Sequence, residues 1–365
     1  MSKLNPEMIR PILATAEKFA ERELKKTARE RDAYPYAAFP AGLIQAAGDA
    51  GLLHLSAPED VCGAGCGLPT EAWALVLEKL AETDAGFAAA LMAHALAEEA
   101  VLRLGSEKIQ REWIGAEPSR WLSYPLYLEA GAAEDLPIAR KKDKTYLLTG
   151  AARLMANGPI ADAAVVAANL EDRPALFLVP LGPDSRPEPT ETLGLRSCPV
   201  GHLDLAAAVL PADHLLARGE AAIRELHELF YPSAAAILVA TIKASLDYAV
   251  EYGKERHQGG KMISEHSQLR MMYGRMAVER LALRQAMLRV IEEEAEPGSR
   301  LAVKALAAEL AVRATIDGVQ LLGGYGYTME YPQERRMRDA RQAAELLGSA
   351  TRERLSLVEN LTPGK

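Results

Sequence analysis

Residues 7 to 30 set Ile9, Ile12, Leu13, Ala16, Phe19 and Ala20 on one stripe. Spacings of three and four residues bring side chains to one face of an α-helix, so this pattern predicts an amphipathic helix. A second stripe carries Leu43, Ile44, Ala47 and Ala50 and stops at Gly51. Helical patterns return over 69–83 and 85–104, where Gly105 follows as a stop signal. The first 120 residues are therefore expected to form an all-α unit. Between 121 and 218 the pattern changes to short apolar runs, YLLTG, AAVVAA, ALFLVPL and AAVLP, divided by Gly, Pro, Asp and Asn. Runs of that length between turn formers predict strands and a small β domain. Long helical stripes resume over 220–256, 262–294, 299–322 and 349–360, with Pro297 and Gly298 breaking the second from the third. Four long helices predict a bundle. The expected domains are thus 1–120, 121–218 and 219–365.

Composition narrows the functional classes. The chain has 365 residues, is 49% hydrophobic, and carries a net charge of −8 with no Lys/Arg block, which argues against nucleic acid as a partner. The start, MSKLNPEMIRP, lacks the apolar core of a signal peptide. The purest apolar run, AAAILVATI at 234–242, is about half of what a bilayer span needs. The expectation is a cytoplasmic protein with no membrane span. Cys62 and Cys66 lie in a Gly-rich loop, CGAGC, and read as reduced loop thiols because no second Cys/His cluster along the chain completes a metal site. The seven histidines show no metal spacing, and His54, His94, His202 and His227 read as structural or exposed. No metal is expected.

The most distinctive stretch is QLLGGYGYTMEYPQERRMRDAR, residues 320–341, in which a helix ends on Gly323 and Gly324 before a Tyr-rich turn. Glycines there let a backbone approach a ligand closely and turn with positive φ. Gln320, about one helical turn earlier, can present its amide beside that approach. Four further segments accompany it in order: GLLHLSAPEDVCGAGC, LRLGSEKIQREW, LTGAARLMANGPIADAAVV and ERHQGGKMISEH. Together they resemble the acyl-CoA dehydrogenase family over nearly the whole chain. The resemblance implies an α+β, mainly α fold: an N-terminal helical domain, a middle β-barrel domain and a C-terminal four-helix bundle. It also implies FAD as cofactor, an acyl-CoA substrate, an electron-transferring flavoprotein as electron acceptor, and a tetramer, homomeric or heteromeric. In the family the equivalents of Gln320, Gly323 and Gly324 contact the FAD adenosine and pyrophosphate across a subunit interface. Arg256 resembles the Arg that pairs with the pyrophosphate, His266 a His near the adenine, and Ser349 a small hydroxyl residue facing the phosphates. Asn157 persists in the strand motif beside the flavin.

The same resemblance exposes a loss. Family members carry a Glu as general base, the sixth residue after an Arg-Asp-Ala-Arg/Lys tetrapeptide and directly before Gly. Here RDAR is 338–341, and the position is Leu347, followed by Gly348. An alternative base position on the first long C-terminal helix falls near Phe230. A positioned base contributes roughly 10² to 10⁴ in rate, and leucine cannot take a proton. Around the flavin ring, Leu128 replaces a Thr, Glu134 a Ser, Leu154 an aromatic and Ala156 a Thr or Ser. Three functions remain open. The chain is a base-less partner in a hetero-oligomeric dehydrogenase, or an active dehydrogenase with a base relocated to Glu345 or Glu228, or a non-catalytic CoA-binding scaffold.

Overall fold

The structure, a computed structural model, describes residues 4–33, 39, 41–62, 65–115, 119–128, 136–292 and 295–361. Helix α1 (Pro6–Phe19) opens on Asn5, whose side chain accepts the Glu7 N–H, with Pro6 in the first turn. It continues through a wider π-type turn, Ala20–Leu24, to a short α2 (Ala28–Arg31). Then come α3 (Ala41–Asp49), α4 (Ala72–Ala81), α5 (Ala85–Leu104) and a short α6 (Glu107–Gln110). Asp84 caps α5 by accepting the Phe87 N–H at 3.0 Å, and α5 is buried almost all round.

The middle region holds β1 (Leu122–Ser123), β2 (Ile138–Lys142), β3 (Thr145–Thr149), β4 (Ala151–Ala156), β5 (Ala163–Leu170), β6 (Arg173–Pro180), β7 (Val200–Asp204), β8 (Ala208–Pro211) and β9 (Leu215–Arg218). One sheet runs β8-β3-β2-β5-β6-β9, with β1 parallel to β5, and β4 and β7 form a separate antiparallel pair. The sheet curls around its own small core, which includes Tyr146, Leu148, Val166, Phe177 and Leu203. A second, much larger core joins the N-terminal helices to the C-terminal ones.

The C-terminal helices are α7 (Glu220–Glu255), α8 (Ser267–Glu292), α9 (Ser299–Leu321), α10 (Gln333–Ala343) and α11 (Ala350–Leu361). The helix expected from residue 262 starts later. Gly259 and Gly260, with φ of 62° and 82°, make a two-residue turn between β10 (His257–Gln258) and β11 (Lys261–Met262). Two left-handed residues in succession suit a hairpin and break a helix. By length and composition alone, helices α5 and α7 are each long and apolar enough to cross a bilayer. Their most apolar windows are 94% and 89% buried inside the protein, as core helices are.

Two joints fix the relative placement of the parts. At the first, the Arg338 guanidinium forks onto both Asp32 oxygens at 3.0 and 2.6 Å, and the Leu195 N–H donates to Asp339 at 2.6 Å. Gly194 lies so close to the Arg338 backbone that any Cβ would collide with it. At the second, the fully buried Lys304 on α9 reaches across to the turn after α10. Its ammonium donates to the Ala344 carbonyl (3.0 Å), the Gly348 carbonyl (2.5 Å) and the Glu353 carboxylate (2.5 Å). An ammonium has three protons, and all three are used.

Both joints give measurable expectations. Burial raises the Asp339 carboxyl from its ordinary 3.8 to about 6, against the opposing pull of Arg335 and the Leu195 N–H. The folded state therefore holds this proton more tightly than the unfolded chain. The resulting stability is fully present below pH 3.8 and is lost as pH rises through about 6. Asp339→Asn keeps an acceptor for Leu195 and removes the titration. Urea unfolding across this range should show the variant gaining on the parent by on the order of 3 kcal/mol at neutral pH; parallel profiles would refute the assignment. Lys304→Met removes the buried counter-charge of Glu353 and should lower stability by about 3 to 5 kcal/mol. Adding Glu353→Leu should recover most of that loss, and a double variant no better than the single would show that packing, not charge, matters here.

Candidate functional site

Helix α7 ends at Glu255, and Arg256 leaves it in an extended conformation. The Ile263 N–H donates to the Arg256 carbonyl at 2.8 Å, which folds the β10–β11 hairpin back over the helix end. His266 then hydrogen-bonds through Nε2 to the Gln258 carbonyl at 3.0 Å. From the other side α9 ends at Leu321, and the chain turns at Gly323 with φ of 59°. A Cβ on Gly323 or Gly324 would meet nothing within 4 Å, so both backbones face open space.

The two helix ends enclose a cavity of about 720 Å³ whose walls include Arg256, His266, Gln320, Gly323, Gly324 and Tyr325. Five residues expected at the cofactor thus share one hollow. Its cation is held by an aromatic ladder. Arg256 lies 5.6 Å from the Tyr325 ring, Tyr325 packs on Tyr331 at 5.4 Å, and Tyr331 meets Tyr252 edge-on at 6.1 Å. Cation–π contact fixes a guanidinium while leaving its N–H groups free for an anion. An open glycine backbone, an amide and an anchored guanidinium make a cradle for an anionic ligand with a flat ring. The ladder escaped the sequence reading, although Tyr252 sits one turn before Arg256 on the same helix, a visible signal.

Two other expected residues stand elsewhere. Asn157 is fully buried, with φ of 65°. Its amide donates to the carbonyls of Ala90 (2.7 Å) and Leu122 (3.2 Å), so it ties α5 to β1. Ser349 precedes α11, and its hydroxyl accepts the Arg352 N–H at 3.4 Å as a helix cap. Neither lines the cavity.

At the position where the resemblance implies a base, the side chain is aliphatic. Leu347 has φ of 62°, a conformation that costs a bulky L-residue roughly 1–3 kcal/mol. Its side chain is buried in the main core. Its N–H donates to the Leu126 carbonyl at 2.6 Å. Glu345 points outward, half exposed and paired with Arg341 one turn back. Phe230 is fully buried. Glu228 is partly buried, and burial pushes its carboxyl up despite the nearby Arg300 and Arg224 charges. His227 is buried, with Nε2 3.3 Å from the Tyr124 hydroxyl, and burial followed by the Lys304 charge lowers it to about 3, which keeps it neutral.

In the β region a smaller cavity of about 260 Å³ is lined by Tyr127, Leu128, Leu136, Arg153, Leu154 and Met155 among others. Leu154 adopts φ of 53°, and Ala156 beneath it is buried with only a methyl to offer. Glu134 lies outside the described residues.

Comparison with known proteins bears on this arrangement. The family model described as acyl-CoA dehydrogenase, N-terminal domain, matches residues 6–116, and that for the C-terminal domain matches 227–362. Cyclohex-1-ene-1-carbonyl-CoA dehydrogenase of Syntrophus aciditrophicus is 27% identical, covering 93% of this chain and 84% of that protein. Mitochondrial short-chain specific acyl-CoA dehydrogenase of Rattus norvegicus is 27% identical, covering 98% and 90%. Among solved structures, a chain reported with the electron transferring flavoprotein of Acidaminococcus fermentans and its flavin-based electron bifurcation matches at 26% identity and TM-score 0.91 over 100% of both chains. Butyryl-CoA dehydrogenase from Megasphaera elsdenii shares the fold at 24% identity and TM-score 0.89, covering 99% and 100%. Glutaryl-CoA dehydrogenase from Mycobacterium smegmatis, in complex with FADH2, shares it at 23% and 0.89, covering 99% and 96%. With both family models matched in order across helical regions of the expected kind, this chain belongs to the acyl-CoA dehydrogenase family.

Proposed function

We propose that this chain is the base-less partner subunit of a hetero-oligomeric, FAD-dependent acyl-CoA dehydrogenase. It lends its cradle to cofactor held mainly by a base-bearing neighbour. The observation that carries this reading is at residue 347. The side chain is aliphatic and buried, and the residue's N–H donates to Leu126. The carboxylate expected of that residue is missing, whereas the Arg256 cradle is present.

The residues fit one half of FAD. Arg256 would pair with the pyrophosphate, Gln320 and the bare Gly323–Gly324 backbone would flank it, and His266 would stand near the adenine. They do not fit the other half. Leu128, Leu154 and Ala156 offer no hydroxyl to a flavin ring, so no hydride step is derived at this chain's own β region. FAD, where bound, supplies the hydride acceptor. The part left to this chain is to bind the phosphates and hold the partner's cofactor in register. An acyl-CoA substrate and an electron-transferring flavoprotein as acceptor belong to the assembly in this proposal. The similarity to butyryl-CoA dehydrogenase and to the Acidaminococcus structure supports them. A tetrameric, cytoplasmic form is part of the same proposal.

One observation favours a rival reading, an active site of this chain's own. Glu228 is a partly buried carboxylate with a raised pKa, as general bases often are. Flavin bleaching by acyl-CoAs that disappears in Glu228→Gln would establish it.

Co-expression with a base-bearing dehydrogenase chain from the same genome should give a stable complex with about one FAD per two chains. Arg256→Ala in this chain should weaken FAD binding by that complex about 10- to 100-fold, the range for a charged hydrogen bond. One FAD per chain in a homomer that acyl-CoA bleaches would overturn the proposal. Leu347→Glu restores a carboxylate but not the ring contacts. It should leave the isolated chain inactive toward a panel of acyl-CoAs, and recovered turnover would show that only the base had been lost.

A further inference from the structure

Folding assembles a cluster that chain spacing hides. His94 and Glu98 lie one turn apart on α5 and so share a face. His54, on the segment after α3, meets them there, with Nδ1 2.5 Å from Glu98 Oε2. His94 Nε2 stands 3.6 Å from the same oxygen. One ligand atom from each of the three falls within 4.8 Å of the others. His94 and Glu98 are fully buried and His54 is 3% exposed. Two polar atoms of the cluster, His94 Nε2 and Glu98 Oε1, are buried with no hydrogen-bond partner. Buried polar atoms are nearly always satisfied; His94 Nε2 faces Glu98 across 3.6 Å, whereas Glu98 Oε1 has no donor and calls for an occupant.

We propose that His54, His94 and Glu98 form a site for a zinc-type divalent ion, separate from the nucleotide cradle. Two imidazoles and a carboxylate are a zinc ligand set that leaves a fourth position open. A soft ligand lies alongside. The Cys66 N–H donates to the His54 carbonyl at 3.0 Å, and Leu68 pairs likewise with Leu55 at 2.8 Å, so the chain from Cys66 to Leu68 runs next to the cluster. Cys66 is half-buried. The surroundings couple the site to the joint between helical and β regions. The His94 ring stacks on Trp121 at 5.0 Å, and the Leu122 N–H lies 3.2 Å from His94 Nδ1. A metal on Nε2 moves the imidazole proton to Nδ1, where it opposes that N–H. The ring must therefore turn relative to Leu122, and its stack on Trp121 must change. The ion would pin the 52–57 segment to α5, and none of these residues takes part in the proposed cofactor binding.

The test uses the full chain, chelator-treated and then titrated with zinc sulfate alone. Expected are about one tightly bound zinc per chain by elemental analysis, a rise in Tm, and a change in tryptophan fluorescence that saturates at the same stoichiometry. His94→Gln and Glu98→Gln should each weaken binding by roughly 100-fold or more. Wild-type protein that takes up no stoichiometric zinc and keeps its Tm overturns the proposal, whether or not the variants fold. So does uptake that survives both substitutions yet vanishes in Cys66→Ser, which would place the ion on the loop thiols instead.

Discussion

One buried ammonium anchors the turn between α10 and α11. Lys304 gathers the carbonyls of Ala344 and Gly348 and the carboxylate of Glu353 around a single point. The turn between α10 and α11 therefore cannot relax, and Leu347 is kept at a φ that few leucines adopt. Removing water from a lysine is costly, and three good acceptors are what make it tolerable. The frame of the turn is thus rigid, and the side chain it presents is aliphatic.

The same contrast runs through the rest of the site. Around the large cavity stand a guanidinium over the Tyr325 ring, an amide and two bare glycines. Around the smaller one, Leu128 and Leu154 provide only apolar surface. Electrostatic recognition of a dinucleotide and stabilisation of a reacting thioester are separable demands, because they fall on different elements. The joint at Arg338, Asp32 and Gly194 ties α10 to the N-terminal and middle regions, so a change at one cavity need not displace the other.

Much of this was legible in the sequence, for identifiable reasons. Stripes such as Ile9, Ala16 and Phe19 mark buried faces directly, and all three are buried. Gly323 and Gly324 announced an open turn because only glycine leaves that space empty. The β10–β11 hairpin was missed because Gly259 and Gly260 sit inside a polar stretch with no alternation to mark strands. The role of Asn157 could not be read locally. Its partners Ala90 and Leu122 are distant in the chain, and only the fold shows that its amide serves as a tie. Glu345 looked available by position, yet its pairing with Arg341 turns it outward. The contact between His54 and Glu98 spans 44 residues, beyond any motif. Lys304 left a trace that was overlooked, since it falls on the same helical stripe as Leu301 and Ala308.

The backbone at Leu347 also constrains what can stand there. Glycine would sit at that φ without strain, and asparagine with little. A large apolar residue occupies the position instead and packs into the main core. Placing a carboxylate there requires charging the side chain, reopening the volume it fills and freeing the amide from Leu126. Conformation, packing and hydrogen bonding are therefore interlocked at one residue, and none of the three can be altered without disturbing the others.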